Sequence, residues 1–439
     1  MTESIKSQFI QYLKFHPNPG DLESKALFQH SVQTWMQGLH FLDTAGLTLY
    51  FCDLLEIRRQ WDYLPTPVRR RLEMNRVDHS LRTRQLLAHF LEINLRLQLA
   101  ELRYKSLKGL LLFPLYSSRL ESRVQYDFDF LFHSEDLPLA QSFFGEMGYE
   151  PAHFNPRIVT DHIPPLIKRD GWRWQGNYFD PEIPPGIELH YQLWEPAFER
   201  FPIKALDDVW QEVHWEEFHS VRIPAMTPAS TLLYCVLHCL RHLLRSDLRL
   251  SHLYEIGHFL EKTREDELLW NVFREKIAQC PKCRQAAAIL FALAKEVFNP
   301  LINEDVKELI STSLTAAGGL WIQSFGRKEA LHCYRESKSI LFLHLDLVEN
   351  ASAKRAILRQ KLLPRHLPLS PYGVEVPRQH LSLPSRLLNW IKYLRFLTTR
   401  GWFHFRSLFW YLAQWPRWQR RLRQFRSSSG NIRINKQEW

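Results

Sequence analysis

The sequence predicts an α+β protein, with a small mixed β-sheet held between an N-terminal and a C-terminal helical region. Three observations lead there. Apolar residues recur at three- and four-residue steps in "LFQHSVQTWMQGLHFLDTAGLTLYFCDLLEI" (27–57) and again in "TLLYCVLHCLRHLLR" (231–245), the spacing of amphipathic helices. Between them, "VQYDFDFLF" (124–132) alternates acids with aromatics, the pattern of a strand. Glycine is scarce, at 16 of 439 residues, which disfavours a Gly-rich all-β architecture.

Taken in order, residues 1–100 read as an N-terminal helical region, closed by "RQLLAHFLEINLRLQLAELRYKSL" (84–107) with its good helix formers. An α/β core follows over 101–225. In "KGLLLFPLYSSRLES" (108–122) a short apolar helix start breaks at Pro and Ser-Ser. After the strand, "SEDLPLAQSFFGEMGY" (134–149) predicts a helix capped by Ser134, with Glu135 and Asp136 in its first turn and Gly148 at its end. "GIELHYQLWEP" (186–196) predicts a second strand, with Glu188 and His190 on one face and Leu189 and Tyr191 on the other. Thr227 and Pro228 form a cap and first-turn pair for a helical domain over 226–361. A Pro-rich linker spans 362–385 and a basic, aromatic-rich tail spans 386–439.

Composition narrows the class. Hydrophobic content of 45% and charge content of 24% are those of a globular chain. The net charge is +10, but residues 384–439 carry twelve Lys/Arg and one acid, so the preceding residues sum to about −1. A near-neutral body argues against a large nucleic-acid ligand. Six scattered cysteines make no disulfide framework and suit a reducing compartment. No signal-peptide core and no uncharged stretch of spanning length is present. These features predict a cytoplasmic protein.

Asp127 and Asp129 lie two apart on a strand, so both carboxylates leave one face. Close carboxylates repel unless a cation neutralises them. Mg²⁺, a hard ion that takes carboxylate and phosphate oxygens, is the expected neutraliser. Glu188, from the second strand, would complete a site for two ions, and would accept a proton from an acceptor hydroxyl. The turn at Lys108-Gly109 offers backbone N–H groups and a positive charge to a phosphate. Asp-x-Asp alone also fits a solvated strand face.

The order of these motifs strengthens the chemical reading. The series "LKGLLLFPLYSSRLESRVQYDFDFLFHSEDLPLAQSFFGEMGYEP", "DHIPPL", "IELHYQL", "DDVW" and "TLLYCVLHCLRH" resembles the uncharacterised nucleotidyltransferase family of bacteria. That family is a branch of the polymerase-β-like superfamily. The resemblance covers roughly residues 90–265. Lys108, Gly109, Tyr116 and Arg123 match its first part, Asp127 and Asp129 its metal pair, and Gly148 and Tyr149 its helix end. His162 matches the His before Pro-Pro, Glu188 and His190 the later strand, and His238 and His242 the helix after it. The resemblance implies a Mg²⁺-dependent transferase that binds a nucleotide such as ATP. It would move an NMP group onto an unidentified hydroxyl or phosphate acceptor and release pyrophosphate. It makes Lys108, Gly109 and Arg123 phosphate contacts, and places His162, His190, His238 and His242 on the acceptor side. Three departures stand out. Tyr126 occupies a position more often Ser, Lys108-Gly109 replaces a Gly-Ser pair, and Glu255 stands where Asp is usual. Tyr126 and the missing Gly-Ser pair support the alternative of a catalytically inactive nucleotide-binding or membrane-surface scaffold.

Three other features compete for function. His238 and His242, four residues apart, share a helix face but lack a further zinc ligand between them, so paired core histidines are the expectation. "CPKC" (280–283) has half a zinc site's spacing and also suits a helix start with Pro at its first position. The tail interleaves thirteen aromatics with its basic residues. Packing against the body, contact with the anionic inner face of a membrane and single-stranded nucleic-acid binding all fit it, in that order.

Overall fold

A computed structural model describes residues 2–17, 25–152, 160–168, 171–331, 338–363 and 383–431. Helices α1 (Thr2–Tyr12), α2 (Val32–Ala45), α3 (Thr48–Ile57) and the 34-residue α4 (Thr66–Leu99) open the chain. The sheet region holds β1 (Tyr104–Ser106), β2 (Asp127–Phe132), α5 (Leu137–Glu146), β3 (Tyr149–Pro151), β4 (Leu166–Lys168) and β5 (Gly186–His190). The short α6 (Pro196–Glu199) and a separate hairpin, β6 (Trp215–Phe218) and β7 (Val221–Pro224), follow. Then come α7 (Pro228–Arg245), α8 (Leu250–Lys262), α9 (Glu267–Ala278), α10 (Pro281–Phe298), α11 (Glu304–Ser313), α12 (Ala316–Trp321), α13 (Arg327–Leu331), α14 (Ile340–Leu347), α15 (Ala351–Leu362) and α16 (Leu383–Asn431). The fold is α+β, as the sequence predicts.

The five-stranded sheet has the order β1-β2-β5-β4-β3, and only the central β2–β5 pair is parallel. Its alternation sorts β2 cleanly. Phe128, Phe130 and Phe132 are buried against Phe90 of α4, Tyr104 of β1 and Phe144 of α5. Burying each ring contributes roughly 1.5–3 kcal/mol. Asp127 and Asp129 take the opposite face by the two-residue period. Tyr126 does not share the phenylalanine core. It precedes β2, packs beside Val124 and Phe179, and donates from its hydroxyl to the Tyr178 carbonyl.

Of the other local expectations, some hold and some are corrected. Thr227 caps α7 by accepting from the Ser230 N–H. Gly148 follows α5 at φ +84°, a conformation glycine adopts without cost. Asp136, rather than Ser134, is the N-cap of α5, because Pro138 sets the first turn two residues later than the acid-rich segment suggests. The second strand stops at His190, short of the predicted 196. The helix start at Lys108 is a single 3₁₀ turn, Gly109–Leu112, so it lacks the aligned N–H groups of a long helix. Gly109 has φ +79°, and a Cβ there would lie 2.8 Å from Gln125 Nε2. Cys280 and Cys283 form a disulfide at the start of α10, with Pro281 in its first turn. Cys333 and nearly all of the Pro-rich linker lie outside the described residues.

The tail is one helix with two characters. Tyr411, Trp418 and Leu422 are buried, and Phe342 of α14 stacks on Tyr411 and Trp418 at centroid distances of 5.1 and 4.6 Å. Towards its start, Trp390, Trp402 and Phe405 are more than half exposed. Packing against the body therefore accounts for the second half of α16 and not the first.

Candidate functional site

The β2–β5 register builds the site. Asp127 pairs with Gly186 and Asp129 with Glu188, so three acids from adjacent parallel strands face the same side. They open into a cleft of about 310 Å³. Lys108, Gly109, Arg123, His162, His238 and His242 line the same cleft. His190 is completely buried beneath the acids. Its Nε2 lies 3.2 Å from Asp129 Oδ1 and 3.5 Å from Glu188 Oε2, and its Nδ1 lies 3.5 Å from Asp161 Oδ2. Nine of the ten candidate residues thus line this cleft, whereas His190, expected on the acceptor side, is sealed beneath the acids. Tyr116 does not join them; it is buried against Phe259. Gly148 and Tyr149 end a helix and start β3, away from the cleft.

The electrostatics follow from this crowding. Burial, then the charges of Asp129 and Glu188, lift the Asp127 carboxyl to about 7, more than Lys108 and Arg123 offset. Burial acts the same way on Asp129, but Lys108 and His190 outweigh it and hold that carboxyl below its ordinary value. Glu188 is lowered too: burial opposes its charge and the His190 hydrogen bond overcomes this. Burial disfavours the charged form of His190, yet Tyr234, Asp129 and Asp161 raise its pKa well above the usual imidazole value. The acids around His190 thus favour its charged form under the acid pair.

Lys108 is largely buried rather than solvated. Its Nζ lies 3.1 Å from Asp129 Oδ1 and 3.1 Å from His238 Nε2. Burial penalises this ammonium, and Asp129 more than compensates, so its pKa is raised. Arg123 is tied to Glu255, Nε to Oε1 at 3.2 Å, and Glu255 also accepts from the Tyr50 hydroxyl. The Glu at this position thus anchors an arginine beside the acids. Tyr126 lies at the cleft's edge with the guanidinium groups of Arg82 and Arg249 over its ring, at 5.7 and 5.3 Å.

The acids fit a hard cation. Asp127 stays short of positive charge despite its neighbours, and Asp127, Asp129 and Glu188 offer only oxygen donors. Asp129, Glu188 and His190 also bring one ligand atom each within 4.8 Å of one another. His238 and His242 face this cleft instead of a closed core.

A family model described as "uncharacterised nucleotidyltransferase" matches residues 31–299, well over half the chain. The chain belongs to that family. The match extends beyond the 90–265 stretch that carries the sequence motifs, taking in α2 to α4 on one side and α9 and α10 on the other. No curated protein and no solved structure matches the chain. Membership makes this nucleotidyltransferase-family protein a transferase of nucleotides in general terms.

Sequence reasoning missed several residues of this nucleotidyltransferase's cleft, among them Asp161, Arg241, Arg249 and His252. Asp161 immediately precedes His162 and is buried between Arg241 and His190. Arg241 sits between the two flagged histidines and pairs with Asp161. Arg249 and His252 come from α8 and the turn before it, and no spacing in the sequence ties them to β2. An acid beside a flagged His, and an arginine on a buried helix face, were the available signals for the first two.

Proposed function

We propose that the protein is a Mg²⁺-dependent nucleotidyltransferase that moves an NMP group from an NTP such as ATP to a hydroxyl or phosphate acceptor. The convergence of Asp127, Asp129 and Glu188 on adjacent parallel strands carries this reading. These carboxylates would hold two Mg²⁺ ions. When bound, Mg²⁺ supplies charge neutralisation for the triphosphate and lowers the pKa of a coordinated hydroxyl.

The chain's own residues account for the remainder. An acceptor oxygen forms a bond to the α-phosphorus as the bond from that phosphorus to the bridging β-oxygen breaks, and pyrophosphate leaves. Glu188, held ionised beside His190, accepts the acceptor's proton. Lys108, Gly109 and Arg123 would contact the phosphates, and His162, His238 and His242 would meet the acceptor; all six line the cleft. His190 positions Asp129 from below.

The experiment is transfer of label from each α-³²P-NTP, with wild type and the Asp127→Ala/Asp129→Ala variant. Mg²⁺-dependent labelling or NTP turnover in wild type, lost in the variant, supports the enzyme. The inactive-scaffold reading draws on the Lys108 ammonium already seated on Asp129. Mg²⁺-dependent NTP binding without turnover favours that reading, and no NTP binding sinks both.

We also propose that α16 rests on an anionic membrane face. Leu387, Ile391, Leu394, Trp402, Phe405 and Phe409 follow at three-, four- and eight-residue steps and are all exposed. They form one apolar stripe. The helix carries ten Lys/Arg and no Asp or Glu, a charge suited to anionic headgroups and opposed to pairing with a second copy of itself. No helix among the described residues is long and apolar enough to cross a membrane. Flotation with phosphatidylserine vesicles should be lost on deleting 384–439; equal flotation of both forms refutes the contact.

A further inference from the structure

We infer that His238, His242 and His252 form a second metal centre in the cleft, one that takes a divalent transition ion of the zinc class. His238 and His242 lie one turn apart on α7, and His252 reaches them from α8. The three rings bring one nitrogen each within 4.8 Å of one another. Sequence spacing alone offers only two of these ligands, because the third arrives through packing of a second helix.

Proton positions make the case. His242 Nδ1 faces Asp247 Oδ1 at 3.1 Å. A carboxylate only accepts, so Nδ1 carries the hydrogen and Nε2 of the neutral ring carries a lone pair. His238 Nε2 faces the Lys108 ammonium at 3.1 Å, and an ammonium only donates. That nitrogen also presents a lone pair, which would pass from the ammonium to a metal as Lys108 turns wholly to Asp129. The two Nε2 atoms are 3.3 Å apart. Two lone pairs at that separation repel, and a cation between them removes the conflict. Two imidazole nitrogens bound tetrahedrally to zinc at about 2.0–2.1 Å are themselves about 3.3–3.4 Å apart. The third ring adds its own signal: His252 Nδ1 is buried with no hydrogen-bond partner among the described residues.

The surroundings agree. Asp247 fixes the tautomer and orientation of His242, the arrangement by which carboxylates support metal-bound histidines. Burial, then neighbouring cations and histidines, lowers the pKa of His238 and His252, and burial lowers that of His242. Neutral imidazole is the ligating form. Three nitrogen donors suit zinc over Mg²⁺, whereas the carboxylates across Lys108 suit Mg²⁺ over zinc. Three protein ligands leave a fourth position facing the cleft, where Lys108 and Arg249 also stand. An anionic oxygen of the phosphate class would complete the coordination. The inference does not depend on the transfer reaction.

Equilibrium dialysis of the full chain against Zn²⁺, with metal analysis, tests it together with the visible spectrum of the Co²⁺-loaded protein. One Zn²⁺ per chain is expected, with intense tetrahedral Co²⁺ bands and no thiolate-to-cobalt band. His242→Asn and His252→Gln should abolish both signals. Asp247→Asn should weaken binding about 10–100-fold with the circular dichroism unchanged. Binding should survive in Cys280→Ser/Cys283→Ser and in Asp127→Ala/Asp129→Ala. Substoichiometric Zn²⁺ in the wild type overturns the inference. So does retained binding without His242 and His252, or loss in the cysteine or aspartate variant. Should the histidine variants misfold, a weak octahedral or thiolate-type Co²⁺ spectrum of the wild type overturns it equally.

Discussion

Replacing Asp127 with Asn should stabilise the metal-free protein. The Asp127 carboxyl is raised from 3.8 to about 7 by burial and by the charges of Asp129 and Glu188. One pKa unit corresponds to about 1.36 kcal/mol, so three units correspond to about 4 kcal/mol of native-state destabilisation at neutral pH, as an upper bound. The sign is fixed by linkage. A carboxyl raised in the native state costs nothing below its unfolded value near 3.8. The cost grows as pH rises and levels off above about 7. Asparagine keeps the shape and removes the charge. In thermal and urea unfolding with EDTA, Asp127→Asn should match wild type near pH 4. By pH 8 it should exceed wild type by about 2–4 kcal/mol. Added Mg²⁺ should stabilise wild type more than the variant, since a ligand bound only by the native state adds to its stability. An Asn variant no more stable than wild type at pH 8 in EDTA refutes the crowded-carboxylate reasoning.

Three further outcomes are expected. Lys108→Met breaks the buried pair with Asp129 and should cost about 3–5 kcal/mol in metal-free urea unfolding; a loss below about 1 kcal/mol means the pair is not formed in solution. Asp161→Asn loses the charge held by Arg241 and His190. Because that carboxyl is depressed, its contribution is present above the unfolded value near 3.8 and fades as pH falls further; a variant deficit that persists unchanged at pH 2 would contradict this. Tyr126→Ser removes the ring beneath Arg82 and Arg249. It should cost about 1–2 kcal/mol, with Tyr126→Phe recovering most of it in the same thermal scans.

The strand pair was legible because a two-residue period separates faces locally. Phe128, Phe130 and Phe132 go to the core and Asp127 and Asp129 to the cleft with no tertiary information. Glu188 and His190 were legible the same way, and the Thr227 cap and Gly148 through local backbone chemistry. Tyr126 broke the pattern because the strand begins only at Asp127, three residues later than predicted, and its ring packs beside Val124 and Phe179. Asp161, Arg241, Arg249 and His252 were not legible for a different reason. Periodicity tells which face of an element is buried, not which other element will meet it. The tail was half legible: its composition is plain, but only the body's surface decides that Trp418 is covered and Trp402 is not.

The Lys108 ammonium stands at equal distance from the acid side of the cleft and from the histidine side, 3.1 Å to each. It cannot serve both with equal strength once either side is filled. A cation on the carboxylates repels it toward the histidines, and a ligand there meets a changed field. On the proposed assignments, occupancy of one half of the cleft would be thermodynamically coupled to occupancy of the other, by the same factor in both directions. A single side chain would then link the two proposed sites.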